Sequence, residues 1–136
     1  MRHHIMHGIT AGILSALAGV VYLYVYQEAM YLDFNKVINM GSIAGASIFA
    51  CMLMALGYAL LERRKKSSLK AWLNMAIVLL SFLSILGPLS VTLPLDVESP
   101  ELFPGLAIPM HFFPAMLFFG LSPFFIKNIH HAQSNN

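Results

Sequence analysis

The side chains best suited to holding a proton, a metal or a ligand are few: six histidines, six carboxylates and one cysteine. His111 stands apart because it lies inside an apolar run, about 106–126. An ionisable group at such a place is costly in a bilayer and marks a functional site by default. At helical spacing its neighbours are Ala107, Pro114, Ala115 and Ser122, a face of small residues suited to a bundle interior. Two chemistries fit. One is a ligand or proton site where kinked helices expose backbone carbonyls, with Pro88 and Thr92 of the preceding run at a similar depth and Glu28 as a further carboxylate. The other is a neutral imidazole that donates to a carbonyl freed by Pro88 or Pro114 and so sets helix register. His–His haem ligation within the chain is excluded, since His111 has no second histidine within an apolar run, whereas His–Met ligation stays open.

The other histidines lie near the ends. His3, His4, His7, His130 and His131 offer imidazoles for Zn or Cu, with His3 and His7 on one helical face, but no cysteine or carboxylate accompanies them, so no metal is assigned. Cys51 is alone, which removes an internal disulfide or a cysteine metal cluster. There is no nucleophile with a base, no glycine-rich phosphate loop and no pair of buried carboxylates. The chain is therefore read as non-enzymatic and without a cofactor.

These groups are carried by four apolar stretches, at about 8–31, 37–61, 71–93 and 106–126. Each supplies the roughly 20 helical residues that cross a bilayer of about 30 Å. With 58% hydrophobic and 10% charged residues, a soluble globule is a poor reading, and a net charge of +2 gives no basis for nucleic-acid binding. Backbone groups in hydrocarbon must be satisfied within their own segment, so the spans are helices. The expected fold is an all-α, single-domain integral membrane four-helix bundle of two antiparallel hairpins.

The first span follows a short polar arm, Met1–His7, and carries a stripe of small residues that includes Gly12 and Gly19. The second repeats the theme with Gly41 and Gly45. Such stripes let helices approach closely, within the chain or between copies. Tyr22, Tyr24, Tyr26 and Tyr31 suggest an aromatic belt at the membrane surface. Glu28 sits about 160–180° around the helix from Gly12 and Gly19, which turns it away from the bundle. The third span has a mildly polar seam, Asn74, Ser81, Ser84, Pro88 and Thr92, and a kink expected at Gly87-Pro88. The fourth is punctuated by Pro104, Pro109, Pro114 and Pro123.

Between the second and third spans lies the loop 62–70, with Arg63, Arg64, Lys65, Lys66 and Lys70 among the chain's eight basic residues. Loop 94–104 is acidic and proline-rich. Placing the basic loop in the cytoplasm puts both termini there too, with Arg2 and Lys127 inside and only Lys36 outside. That distribution follows the positive-inside rule for a plasma (inner) membrane. The five loop charges then meet anionic lipid headgroups, each worth about 1 kcal/mol.

Ser84-Ile85-Leu86-Gly87-Pro88-Leu89-Ser90, followed some twenty residues later by Pro109-Met110-His111, resembles a small uncharacterised family of bacterial four-span membrane proteins. That family has a Gly-Pro-Leu break in its third helix and a Met-His pair in its fourth. The resemblance implies the fold and a bacterial envelope location, and carries no activity to His111. Glu28 invites comparison with the small multidrug transporters, also four-span with a Glu in the first helix. There the Glu is mid-helix, whereas Glu28 lies near the outer boundary. The expected function is a membrane component acting by helix packing, as a homo-oligomer or an accessory subunit beside other membrane proteins. The alternative is a small transporter or channel with an outer-side site at His111 and the Gly87-Pro88 break.

Overall fold

The structure is a computed structural model that describes residues 2–93 and 97–125. Among these residues the chain is all-helical. Its principal helices are α1 (Arg2–Met30), α2 (Met40–Arg63), α3 (Lys70–Ser84), α4 (Leu86–Ser90) and α5 (Phe103–Phe125). Short 3-10 turns, Ser67–Leu69 and Pro100–Leu102, precede α3 and α5. With α3 and α4 taken as one rod, four helices are long and apolar enough to cross a membrane.

The expected polar arm before the first span is instead the first turns of α1. The reason is a buried stripe that runs His4, Gly8, Ala11, Ser15, Gly19, Leu23 at three- and four-residue spacing. His4 and His7 join that stripe because partners on distant helices accept their N–H groups. α1 ends at Tyr31, which adopts a left-handed φ of 54°, and the N–H of Leu32 closes on the carbonyl of Gln27 at 3.1 Å. α2 ends the same way at Lys65, φ 52°, with Lys66 closing on Leu61 at 3.0 Å. Both are Schellman-type stops without the usual glycine.

α2 starts at Met40, three residues later than its apolar run. Asn39 and Ser42 form a reciprocal capping box there, at 3.0 and 3.1 Å. The preceding turn wraps around Phe34, which is fully buried and meets Phe103 edge-on at 5.7 Å. α1 and α2 run antiparallel in close contact. A Cβ at Gly8 would lie 2.7 Å from Ala55 Cβ, at Gly12 2.9 Å from Ile48 Cα, and at Gly19 2.7 Å from Ile43 Cγ2. The small stripe of α1 is thus consumed inside the chain.

α5 completes a three-helix core. One cluster, around Cys51, Met54, Tyr58 and Phe118, fills the end near the α1 N-terminus. The other, around Leu23, Phe34, Phe103 and Leu106, fills the opposite end. The rod α3–α4 is peripheral: 11% of its most apolar window is buried, against 39% in α1 and in α2. Its attachments are few. Tyr58 donates its hydroxyl to Asn74, Leu73 packs on Gly57, and Phe82 meets Phe112 edge-on at 5.1 Å. The expected kink falls at Ile85, one turn before Pro88, since a proline removes the hydrogen bond to the carbonyl four residues back. Pro88 then occupies the first turn of α4, where its missing N–H costs least.

Candidate functional site

Three prolines interrupt the hydrogen-bond ladder of α5, at 109, 114 and 123. Pro109 leaves the Gly105 carbonyl without its helical donor. The Tyr22 hydroxyl supplies one at 3.0 Å, and Tyr26 donates to the Leu102 carbonyl at 2.8 Å. These two tyrosines were expected in a surface belt and instead tie α1 to α5. Tyr31, at 90% exposure, keeps the surface position. Further along, the Cys51 thiol points at the Pro114 carbonyl, 3.7 Å away, and His7 Nε2–H donates to the Phe118 carbonyl at 2.8 Å.

His111 lies on the face of α5 turned toward α2 and α3. The three helices enclose a cleft of about 500 Å³. Met54, Ile77 and Pro114 form part of its floor, and Ala46, Leu53 and Leu80 are exposed at its rim. The cleft exists because α2 and α3 meet sparsely there. His111 Nδ1 lies 2.8 Å from the Ala107 carbonyl, one turn earlier in its own helix. A carbonyl only accepts, so Nδ1 carries the proton, and in a neutral imidazole Nε2 is then the acceptor. The carbonyl it satisfies is that of Ala107, rather than one freed by Pro88 or Pro114.

Three of the four hydroxyls on the cleft wall are similarly engaged. Ser42 donates to the Asn39 carbonyl at 2.7 Å, Ser81 to Ile77 at 2.9 Å and Ser84 to Ser81 at 2.7 Å. In the polar seam read from the third span, the two serines therefore satisfy themselves along their own helix, whereas Asn74 bridges to Tyr58 of α2.

The other expected members of a His111 site are elsewhere. Pro88 is buried in α4 but does not line the cleft, and Thr92 is exposed in the extended segment after it. Glu28 is exposed on α1, a helix that contributes nothing to the cleft wall. Among the described residues, no three His, Cys, Asp or Glu side chains gather as a metal site. His3 is exposed, while His7 is fully buried and stacked between Phe118 at 4.1 Å and Phe125 at 5.1 Å. His130 and His131 lie outside the described residues.

The expectation that no carboxylate accompanies the terminal histidines fails at His4, which is 7% exposed and pairs with Glu62, 53% exposed, at the end of α2. A signal was present in the i, i+3 spacing of His4 and His7, continuous with Gly8 and Ala11. No family model, curated protein sequence or solved structure matches this chain.

Proposed function

We propose that this chain is a non-enzymatic, multi-pass protein of a bacterial inner membrane that acts by helix packing, as a homo-oligomer or an accessory subunit of a membrane complex. In this reading its four spans form two antiparallel hairpins with both termini cytoplasmic. The basic residues Arg63, Arg64, Lys65, Lys66 and Lys70 then face the anionic cytoplasmic leaflet. The likeness of the Gly87-Pro88-Leu89 and Met110-His111 segments to the small bacterial four-span family supports the bacterial setting.

The observation that carries the association reading is the contrast between two sets of glycines. Gly8, Gly12 and Gly19 are spent on packing α1 against α2. Gly41 and Gly45 lie exposed on α2, and a Cβ at Gly45 would meet nothing within 4 Å. A helix face that admits close approach and is not used within the chain suits a second helix. Gly45→Leu is the clean test, because a larger residue there has no neighbour to displace. Overpacking an interface costs about 1–3 kcal/mol, which is about 5- to 150-fold in association. Unchanged complex size after mild extraction from native membranes would refute the reading.

A second reading, a small-molecule binding or transport site, is favoured by the cleft at His111. There the lone acceptor nitrogen of an imidazole faces an apolar space of about 500 Å³, within the size range of ligand pockets.

A further inference from the structure

We propose that the cleft between α2, α3 and α5 binds an uncharged, apolar molecule bearing a hydroxyl donor, such as a phenol or an alcohol, which enters sideways from the bilayer. This rests on the second reading above and names its ligand class. The argument is a proton inventory. His111 has spent its Nδ1–H on Ala107, and Ser42, Ser81 and Ser84 have spent their hydroxyl protons on the carbonyls of Asn39, Ile77 and Ser81. What these four groups offer the cleft is lone pairs. Ser47, the remaining hydroxyl on the wall, is 6% exposed and donates to no acceptor among the described residues, so it adds a single donor. A ketone, ester or ether could meet only that one proton and would leave the lone pairs unmatched, whereas a hydroxyl can accept from it and also supply the proton the other four groups lack.

Charge narrows the class again. Among the described residues no carboxylate lines the cleft, so an ammonium group would be buried without a counter-charge. No lysine or arginine lines it either, so an anion has no partner. The route is set by the rim: Ala46, Leu53 and Leu80 are exposed on the helix sides, which in a bilayer face acyl chains. The polar end of the ligand would meet Nε2 of His111, about 12 Å along α5 from Phe103.

The test uses the full chain in lipid nanodiscs with two probes of nearly equal shape, 4-hexylphenol and its methyl ether 4-hexylanisole. Affinities are compared at equal mole fraction in the bilayer, and ¹⁵N-histidine spectra report the His111 acceptor nitrogen. The phenol is expected to bind about fivefold more tightly, the worth of one neutral hydrogen bond, and to shift the Nε2 resonance. His111→Phe should make the two probes equal, and Ala46→Trp, which fills the rim, should weaken both. Equal binding of the probes to the unmodified protein would overturn the donor rule while leaving the cleft as a ligand site. Absence of saturable binding, or binding indifferent to Ala46→Trp, would overturn both. The probe comparison on the unmodified protein and the Ala46→Trp result decide the matter even if His111→Phe does not fold.

Discussion

Tyr22→Phe isolates a single proton. The substitution keeps the ring and its contacts with Phe113 at 5.8 Å and Tyr26 at 5.9 Å, and it removes the donor to the Gly105 carbonyl. That carbonyl has no helical donor because residue 109 is proline. Gly105 is exposed, and hydrogen bonds within membrane bundles are worth about 0.6–1.7 kcal/mol. The expected loss is therefore about 0.6–1.7 kcal/mol. Pro109→Ala provides the control. It restores an N–H able to reach Gly105, so in that background Tyr22→Phe should cost less than about 0.5 kcal/mol. Reversible unfolding in mixed micelles, or steric trapping in bicelles, measures all four corners of the cycle. An equal cost of Tyr22→Phe with and without Pro109 would refute the claim that the hydroxyl compensates for the proline.

Gly105→Ala places a Cβ 2.5 Å from the Tyr26 hydroxyl, so it should destabilise the fold by about 1–3 kcal/mol. Tyr26→Phe should relieve part of that loss in the same unfolding assay. Gly12→Ala drives a methyl to 2.9 Å from the backbone of Ile48 and should destabilise by a similar about 1–3 kcal/mol, whereas Gly45→Ala, with open space before it, should be neutral or stabilise the monomer by about 0.5–1 kcal/mol. Tyr31→Gly removes a side chain from a left-handed position at which that side chain is 90% exposed, and should raise unfolding stability by about 1 kcal/mol. A loss at Tyr31→Gly would show that the ring makes a contact outside the chain.

The four apolar helices were legible because bilayer thickness imposes a length that local composition reveals. The close approach of α1 was legible too, since Gly8, Gly12 and Gly19 fall on one face whatever lies opposite. What escaped were the groups whose environment is set by distant partners. His4 and His7 look like a polar arm until Glu62 and the Phe118 carbonyl are brought beside them. Tyr22 and Tyr26 look like a surface belt until the Gly105 carbonyl, freed by Pro109, and the Leu102 carbonyl of the turn before α5 supply their acceptors. The depth of His111 could be counted along its run, but the cleft beside it depends on how loosely α3 is held, and nothing local encodes that. Asn74, Ser81 and Ser84 share a seam in both descriptions. Only Asn74 bridges to another helix, because each serine hydroxyl has a carbonyl of its own helix within reach.

The ties between α1 and α5 bear on the order in which the chain is made. The ribosome delivers α1 first and α5 last, and translocation into the bilayer follows that order. While the early helices wait, the N–H of His7 and the hydroxyls of Tyr22 and Tyr26 have no acceptors, since those are carbonyls of residues 118, 105 and 102. Hydrocarbon offers none in exchange. A nascent chain arrested before α5 is therefore marked by orphaned donors along its first span. A membrane protease or an insertion chaperone that senses polar groups in lipid has the means to tell it from a finished molecule.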